Sequence, residues 1–152
     1  MQKTTKILAI LLLAFSLLLT GCKEDPLIIE EPSDVVIPNI LIVSDTVIVI
    51  KTTEEAMGGK TDMLLVEYME NMREEGLKFE VNDGMIVSIN GIANPADYSS
   101  CWMLYTSDAE NSNAAWGTVE YEGNEYGSAI SGAETLKIKA NEIYIWVFKS
   151  FS

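Results

Sequence analysis

The chain predicts an α+β domain. One apolar stripe at helical spacing lies between Thr61 and Glu75, and β-branched or alternating apolar runs lie on both sides of it. Turn signals at Asn82-Asp83-Gly84 and Asn90-Gly91 separate the runs that follow the stripe, because Asn and Gly tolerate positive φ. Strands dominate and one helix interrupts them, which is the α+β pattern. At 152 residues the length suits one domain with attachments.

The first attachment is a targeting segment. Lys3 and Lys6 form a positive start, and Ile7 to Leu19 is an apolar run of 13 residues. That is too short for a helix to cross a hydrocarbon core of about 30 Å. The run ends in Leu19-Thr20-Gly21-Cys22, which resembles the lipobox of bacterial lipoproteins. The resemblance implies cleavage before Cys22, a diacylglyceryl group on its thiol and an extracytoplasmic domain held to a bacterial membrane through that lipid. Two acyl chains anchor a protein stably where one does not. The expected division is therefore a signal peptide over 1–21, the lipid-bearing Cys22 with an acidic linker to 38, and a domain over 39–152. The linker carries Pro26, Pro32 and Pro38 with Glu24, Asp25, Glu30, Glu31 and Asp34, so it reads as an extended spacer. Leu27-Ile28-Ile29 is apolar for a spacer and leaves docking on the domain open.

Ile40–Ser44 and Thr46–Thr53 are β-branched and read as one long strand or a tight hairpin around Asp45. Nearly every position from Thr46 to Lys51 is apolar, which points to burial on both faces. Residues 54–60 read as a loop. Thr61 reads as a helix N-cap, with Asp62 in the first turn. Leu65, Tyr68, Met69 and Met72 make the stripe, and Gly76 stands where a C′ glycine belongs. The helix is thus expected over about 61–75.

Leu77–Val81 alternates as a half-exposed strand, and Met85–Ile89 follows the first turn. Beyond Asn90-Gly91 an aromatic strand is expected around Trp102, spanning Cys101–Tyr105. Residues 106–118 read as a polar loop containing Trp116. Leu136–Lys139 alternates, Ala140-Asn141-Glu142 turns, and Ile143–Phe148 closes the chain as a strand.

Charge and composition narrow the chemistry. There are 23 acidic and 10 basic residues, for a net charge of −13. Removal of residues 1–21 takes away Lys3 and Lys6 and leaves −15. Such a surface repels phosphate backbones, so no nucleic-acid partner is expected. It also repels anionic lipid, so membrane residence needs the anchor. The chain has no His, which removes the commonest general base and transition-metal ligand and rules out His-dependent nucleophile sites within it. Once Cys22 carries lipid, Cys101 is the remaining thiol, best read as a small buried hydrophobe. No catalytic residue, metal or cofactor is expected. Asp108, Glu110, Asn111 and Asn113 offer loop oxygens, but the sixth and twelfth positions of a calcium loop would be Asn113 and Val119 rather than Gly and Glu. A solvated loop is the better reading.

The run Val87-Ser88-Ile89-Asn90-Gly91-Ile92-Ala93, the strand Trp102-Met103-Leu104-Tyr105 and the ending Ile145-Trp146-Val147-Phe148 follow the helix in that order. Together they resemble the transcobalamin-like C-terminal domain over about residues 45–150. That resemblance implies a small β-grasp-like mixed sheet with one helix, of a kind found in secreted and lipid-anchored bacterial proteins. It also implies that the Trp strand and the loop after it cover one face of a corrinoid of the cobalamin type.

Trp116 is the leading candidate for ligand contact, since no pattern requires a large aromatic in that loop. Tyr98 is a second of the same kind. Trp102 and Tyr105 sit where core is the ordinary role, and the resemblance adds a ligand role. The expected function is a lipid-anchored binding module of the cell envelope for a corrinoid or other small ligand. The alternative is an envelope module that docks another envelope protein and takes no small ligand.

Overall fold

A computed structural model describes residues 28–29, 36–37 and 39–151. The targeting segment, Cys22 and most of the spacer lie outside the described residues. The strands are β1 (Ile28–Ile29), β2 (Val36–Ile37), β3 (Ile40–Ser44), β4 (Val47–Lys51), β5 (Phe79–Asn82), β6 (Met85–Ile89), β7 (Ile92–Ala93), β8 (Ser100–Thr106), β9 (Ser112–Tyr121), β10 (Asn124–Ala129) and β11 (Ile143–Ser150). The helix α1 is Leu65–Asn71. Eight strands form one sheet in the order β1-β9-β10-β8-β11-β4-β3-β2, and β5-β6-β7 form a second. Among the described residues the chain is mostly β with one short helix, as the α+β reading requires.

Ile40–Ser44 and Val47–Lys51 are the two arms of a hairpin, with Asp45 and Thr46 turning between them. β4 lies between β11 and β3 and is apolar on both faces for a reason. Ile48 and Ile50 face a core shared with α1 and the small sheet. Val47 and Val49 face a second cluster with Tyr105, Val119, Tyr121, Tyr126, Ile145 and Val147. β11 alternates in the same way, with Tyr144 and Trp146 on the first side and Ile145 and Val147 on the second.

The second cluster is closed by curvature. Between β4 and β9 lie β10, β8 and β11, so a flat sheet would hold β4 and β9 about 19 Å apart. Yet Lys51 Nζ of β4 is 3.0 Å from Glu122 Oε1, in the turn that ends β9. The same ammonium lies 5.4 Å from the Tyr121 ring centroid. Lys and Glu side chains do not bridge the flat distance, so the sheet curls and places its second face inside. The chain length agrees. Ile29 and Val36 sit at opposite edges, seven flat strand spacings or about 34 Å apart. Seven residues of chain span at most about 25 Å.

The helix is shorter than its apolar pattern. Leu65, Tyr68, Met69 and Met72 are all buried against the first core, as the spacing predicts. Thr61 is not the N-cap. Residue 64 is extended (φ −82°, ψ 151°) and bridges Lys137. The flanking bonds Ile138 N–H to Met63 O (2.9 Å) and Leu65 N–H to Leu136 O (2.9 Å) hold the approach in that form. Tertiary pairing thus overrides the local cap signal, and the Leu64 N–H is satisfied by Glu67 Oε2 at 3.0 Å. At the far end the chain tightens into i→i−3 turns. It finishes with Leu77 N–H bonded to Met72 O and Gly76 N–H to Arg73 O, with Gly76 at φ 106°. That is a Schellman motif with glycine at C′.

The alternation of Leu136–Lys139 holds, with Leu136 and Ile138 buried and the lysines exposed, and it is anchored by one bridge to Leu64 rather than by a strand ladder. One further expectation needs correcting. Residues 112–118 are not loop but the first part of β9. There β9 carries a wide bulge. Asn113 pairs with Ser128 and Thr118 with Gly127, so residues 114–117 are extra.

Candidate functional site

The partner of β6 after Asn90-Gly91 is β7, not the Trp strand. Asn90 (φ 48°) and Gly91 (φ 87°) make the tight turn that the dipeptide predicts. The Trp strand, β8, crosses to the large sheet between β10 and β11. Asn94 joins the two sheets. Its Nδ2 donates to Ile86 O (3.2 Å) and its Oδ1 accepts the Trp102 backbone N–H (3.1 Å). Trp102 reinforces the join, since its indole N–H donates to Ile92 O at 2.8 Å. A Trp eleven residues beyond Gly91 is therefore part of the turn's own support.

This junction leaves a groove of about 350 Å³, at the lower end of the volumes that hold small ligands. One wall is the start of β8, Cys101 to Leu104, with Trp146 of β11 behind it. Gly84, Met85 and Ile86 of the small sheet form another, and residues 128–133 a third. Gly132 fits there because a Cβ would lie 3.3 Å from Gly84 O. Tyr98 stands on the rim at φ 53°, a conformation that bulky residues adopt rarely. Its N–H bonds to Pro95 O (3.0 Å), and Asp97 Oδ1 accepts the Ser99 N–H (3.1 Å) and hydroxyl (2.8 Å). Those two bonds from Ser99 hold the Asp97 carboxyl below its ordinary value.

The groove is apolar at its mouth. Met85, Tyr98 and Ile130 on its rim are each about half exposed, whereas large hydrophobics are normally buried. Its depth is aromatic. Trp102 packs on Phe148 with ring centroids 5.4 Å apart. Trp146 is 4% exposed, and its indole N–H has no hydrogen-bond partner among the described residues. A buried donor without a partner is costly. Cys101 also lines the groove, and burial pushes its thiol up, away from the thiolate that a nucleophile needs.

The sequence candidates are divided by the fold. Tyr98 and Trp102 meet at the groove. Tyr105 is 2% exposed and faces the inner cluster, so it is closed to a ligand. Trp116 is outside the groove walls. It is 62% exposed on the β9 bulge, where the neighbouring Gly117 lies against the Tyr105 hydroxyl. Met85, Ile130 and Trp146 belong to the groove and carry no sequence signal, except that Met85 starts a strand on its solvent side.

The loop after the Trp strand is a clamp. Asp108 is 2% exposed. Lys139 Nζ sits 2.8 Å from its Oδ1 and 2.7 Å from Glu110 Oε2, and Asn111 Nδ2 donates to Asp108 Oδ2 at 2.6 Å. An ammonium thus stands where the loop oxygens could have received a cation. Among the described residues no group of three or more acids or cysteines converges as a metal site.

Burial pushes the Asp108 carboxyl up, but the hydrogen bonds from Lys139, Asn111 and the Glu110 N–H outweigh it and hold it below the ordinary value. A depressed folded-state value stabilises above the unfolded value of about 3.9 and is lost as pH falls from there. Asp108→Asn is expected to cost about 1–3 kcal/mol at neutral pH. It should also flatten the loss of stability below about pH 4. Urea unfolding near pH 7 and near pH 3 checks both.

Comparison of the chain with protein-family models, curated proteins and solved structures found no match to any of them.

Proposed function

We propose that this chain is a membrane-tethered, extracytoplasmic binding module whose groove at the Trp strand takes a small planar or amphipathic ligand. The observation that carries the reading is the groove itself, apolar at the rim and aromatic in depth. A planar or amphipathic ligand would pack against the exposed rim of Met85, Tyr98 and Ile130. The lipobox-like Leu19-Thr20-Gly21-Cys22 supplies the tether and the compartment.

The resemblance to transcobalamin-like domains makes a corrinoid the first ligand to try and a β-grasp-like module the finer description of the fold. The hairpin β3–β4 followed by α1 and the later strands supports that description. A whole corrinoid is larger than the groove, so it would be gripped by one edge or face. The envelope-docking reading would use the sheet edges, where the two-residue strands β1 and β2 pair only with Glu120–Tyr121 and Ile40–Leu41.

Calorimetric titration of residues 23–152 with cobinamide and cobalamin tests the proposal. Binding that Ile130→Glu abolishes supports it, since a charge on this exposed rim position blocks the groove without touching the core. No heat of binding at high micromolar ligand overturns the corrinoid version.

A further inference from the structure

We propose that the β9 edge of the large sheet rests on the bilayer, with Trp116 in the lipid headgroup region. This rests on the reading of Cys22 as lipid-bearing.

The Trp116 bulge is built, not frayed. Asn113 Oδ1 accepts the Ala115 N–H at 3.0 Å. Gly117 takes φ 125°, which L side chains rarely adopt. Across the ladder, Gly127 lets the Asn113–Ala114 backbone pass, because a Cβ there would meet Ala114 N at 3.0 Å. The result presents Ala114, Ala115 and Trp116 to solvent. From Ser112 to Thr118 the chain has no charge, in a protein with a net charge of −13. An exposed Trp on an uncharged projection matches the side chain that favours the membrane interface.

The tether joins the sheet at the same edge. β1 runs parallel to β9, with Ile28 beside Glu120. Followed toward the N-terminus, that direction passes Val119 and then the bulge. Cys22 precedes Ile28 by six residues, which reach about 20 Å at most. The bulge is only four residues from Glu120 along β9. A lipid on Cys22 therefore holds this edge within reach of the surface.

The opposite direction along β9 leads to Glu120, Glu122 and Glu125, around the turn that closes the β9–β10 hairpin. These acids turn that end away from lipid. The exposed Ile130 lies toward the other end of β9, where its N–H bonds to Asn111 O beside the start of that strand.

The test uses the full lipidated chain, purified from membranes and incorporated into phosphatidylcholine vesicles with brominated acyl chains. The chain has three tryptophans, and Trp102 and Trp146 are buried. The expected result is flotation with the vesicles and a loss of emission equal to one tryptophan's share, absent in Trp116→Phe. Flotation with no quenching, or with quenching unchanged in Trp116→Phe, overturns the placement and leaves the anchor standing. Failure to float overturns both.

Discussion

Tyr68→Ala is expected to cost about 3–5 kcal/mol, the range for truncating a large buried aromatic. Tyr68 is fully buried at the centre of the apolar stripe of α1. Its hydroxyl also donates to Lys51 O at 3.1 Å, at the end of β4. The residue therefore both fills the core and ties the helix to the large sheet. Tyr68→Phe keeps the ring and removes only the bond, so it should cost about 1 kcal/mol. Burial pushes the phenol up to about 12, so the hydroxyl remains a donor through the range of an ordinary unfolding experiment. Urea unfolding of the two variants separates the terms. Equal losses would mean that the ring contributes little and α1 is loosely packed.

Ile145→Ala tests the other side of the sheet, with an expected loss of about 2–5 kcal/mol. Ile145 is fully buried on β11, among Val49, Tyr105 and Val147. No helix covers that face among the described residues, and the curl of β9 and β10 over it makes the site a core. A position open to water would lose less than about 0.5 kcal/mol. A loss that small would mean that the second cluster is not closed. The measurement is the urea midpoint at constant slope, since a change in slope would signal an altered denatured state.

Local chemistry made several elements legible. Asn82-Asp83-Gly84 and Asn90-Gly91 specify their turns because their residues accept positive φ whatever surrounds them. The helical stripe and the C′ glycine are equally local. The double-sided burial of β4 was legible from its lack of alternation.

Failures came where distant backbone competed with local signals. Thr61 has the chemistry of an N-cap, but pairing with 136–138 holds its neighbourhood extended. Ser112–Thr118 has little strand propensity and reads as loop. It is a strand because β10 pairs with it, and Gly127 leaves room for its bulge. Trp102 could be placed near the turn by spacing, but only the hydrogen bond to Ile92 O shows what the spacing does.

The sequence by itself determined the α+β class, the tight turns, the helical stripe and the acidic, histidine-free surface. Each follows from residue type or short-range period. The tertiary structure decided which aromatics meet. It joined Tyr98 and Trp102 at one groove with Ile130 and Trp146, buried Tyr105 and set Trp116 apart on a bulge. A groove is made by elements far apart in the chain, and a sheet's curl depends on the pairing of all its strands. Neither leaves a mark in any short stretch of residues.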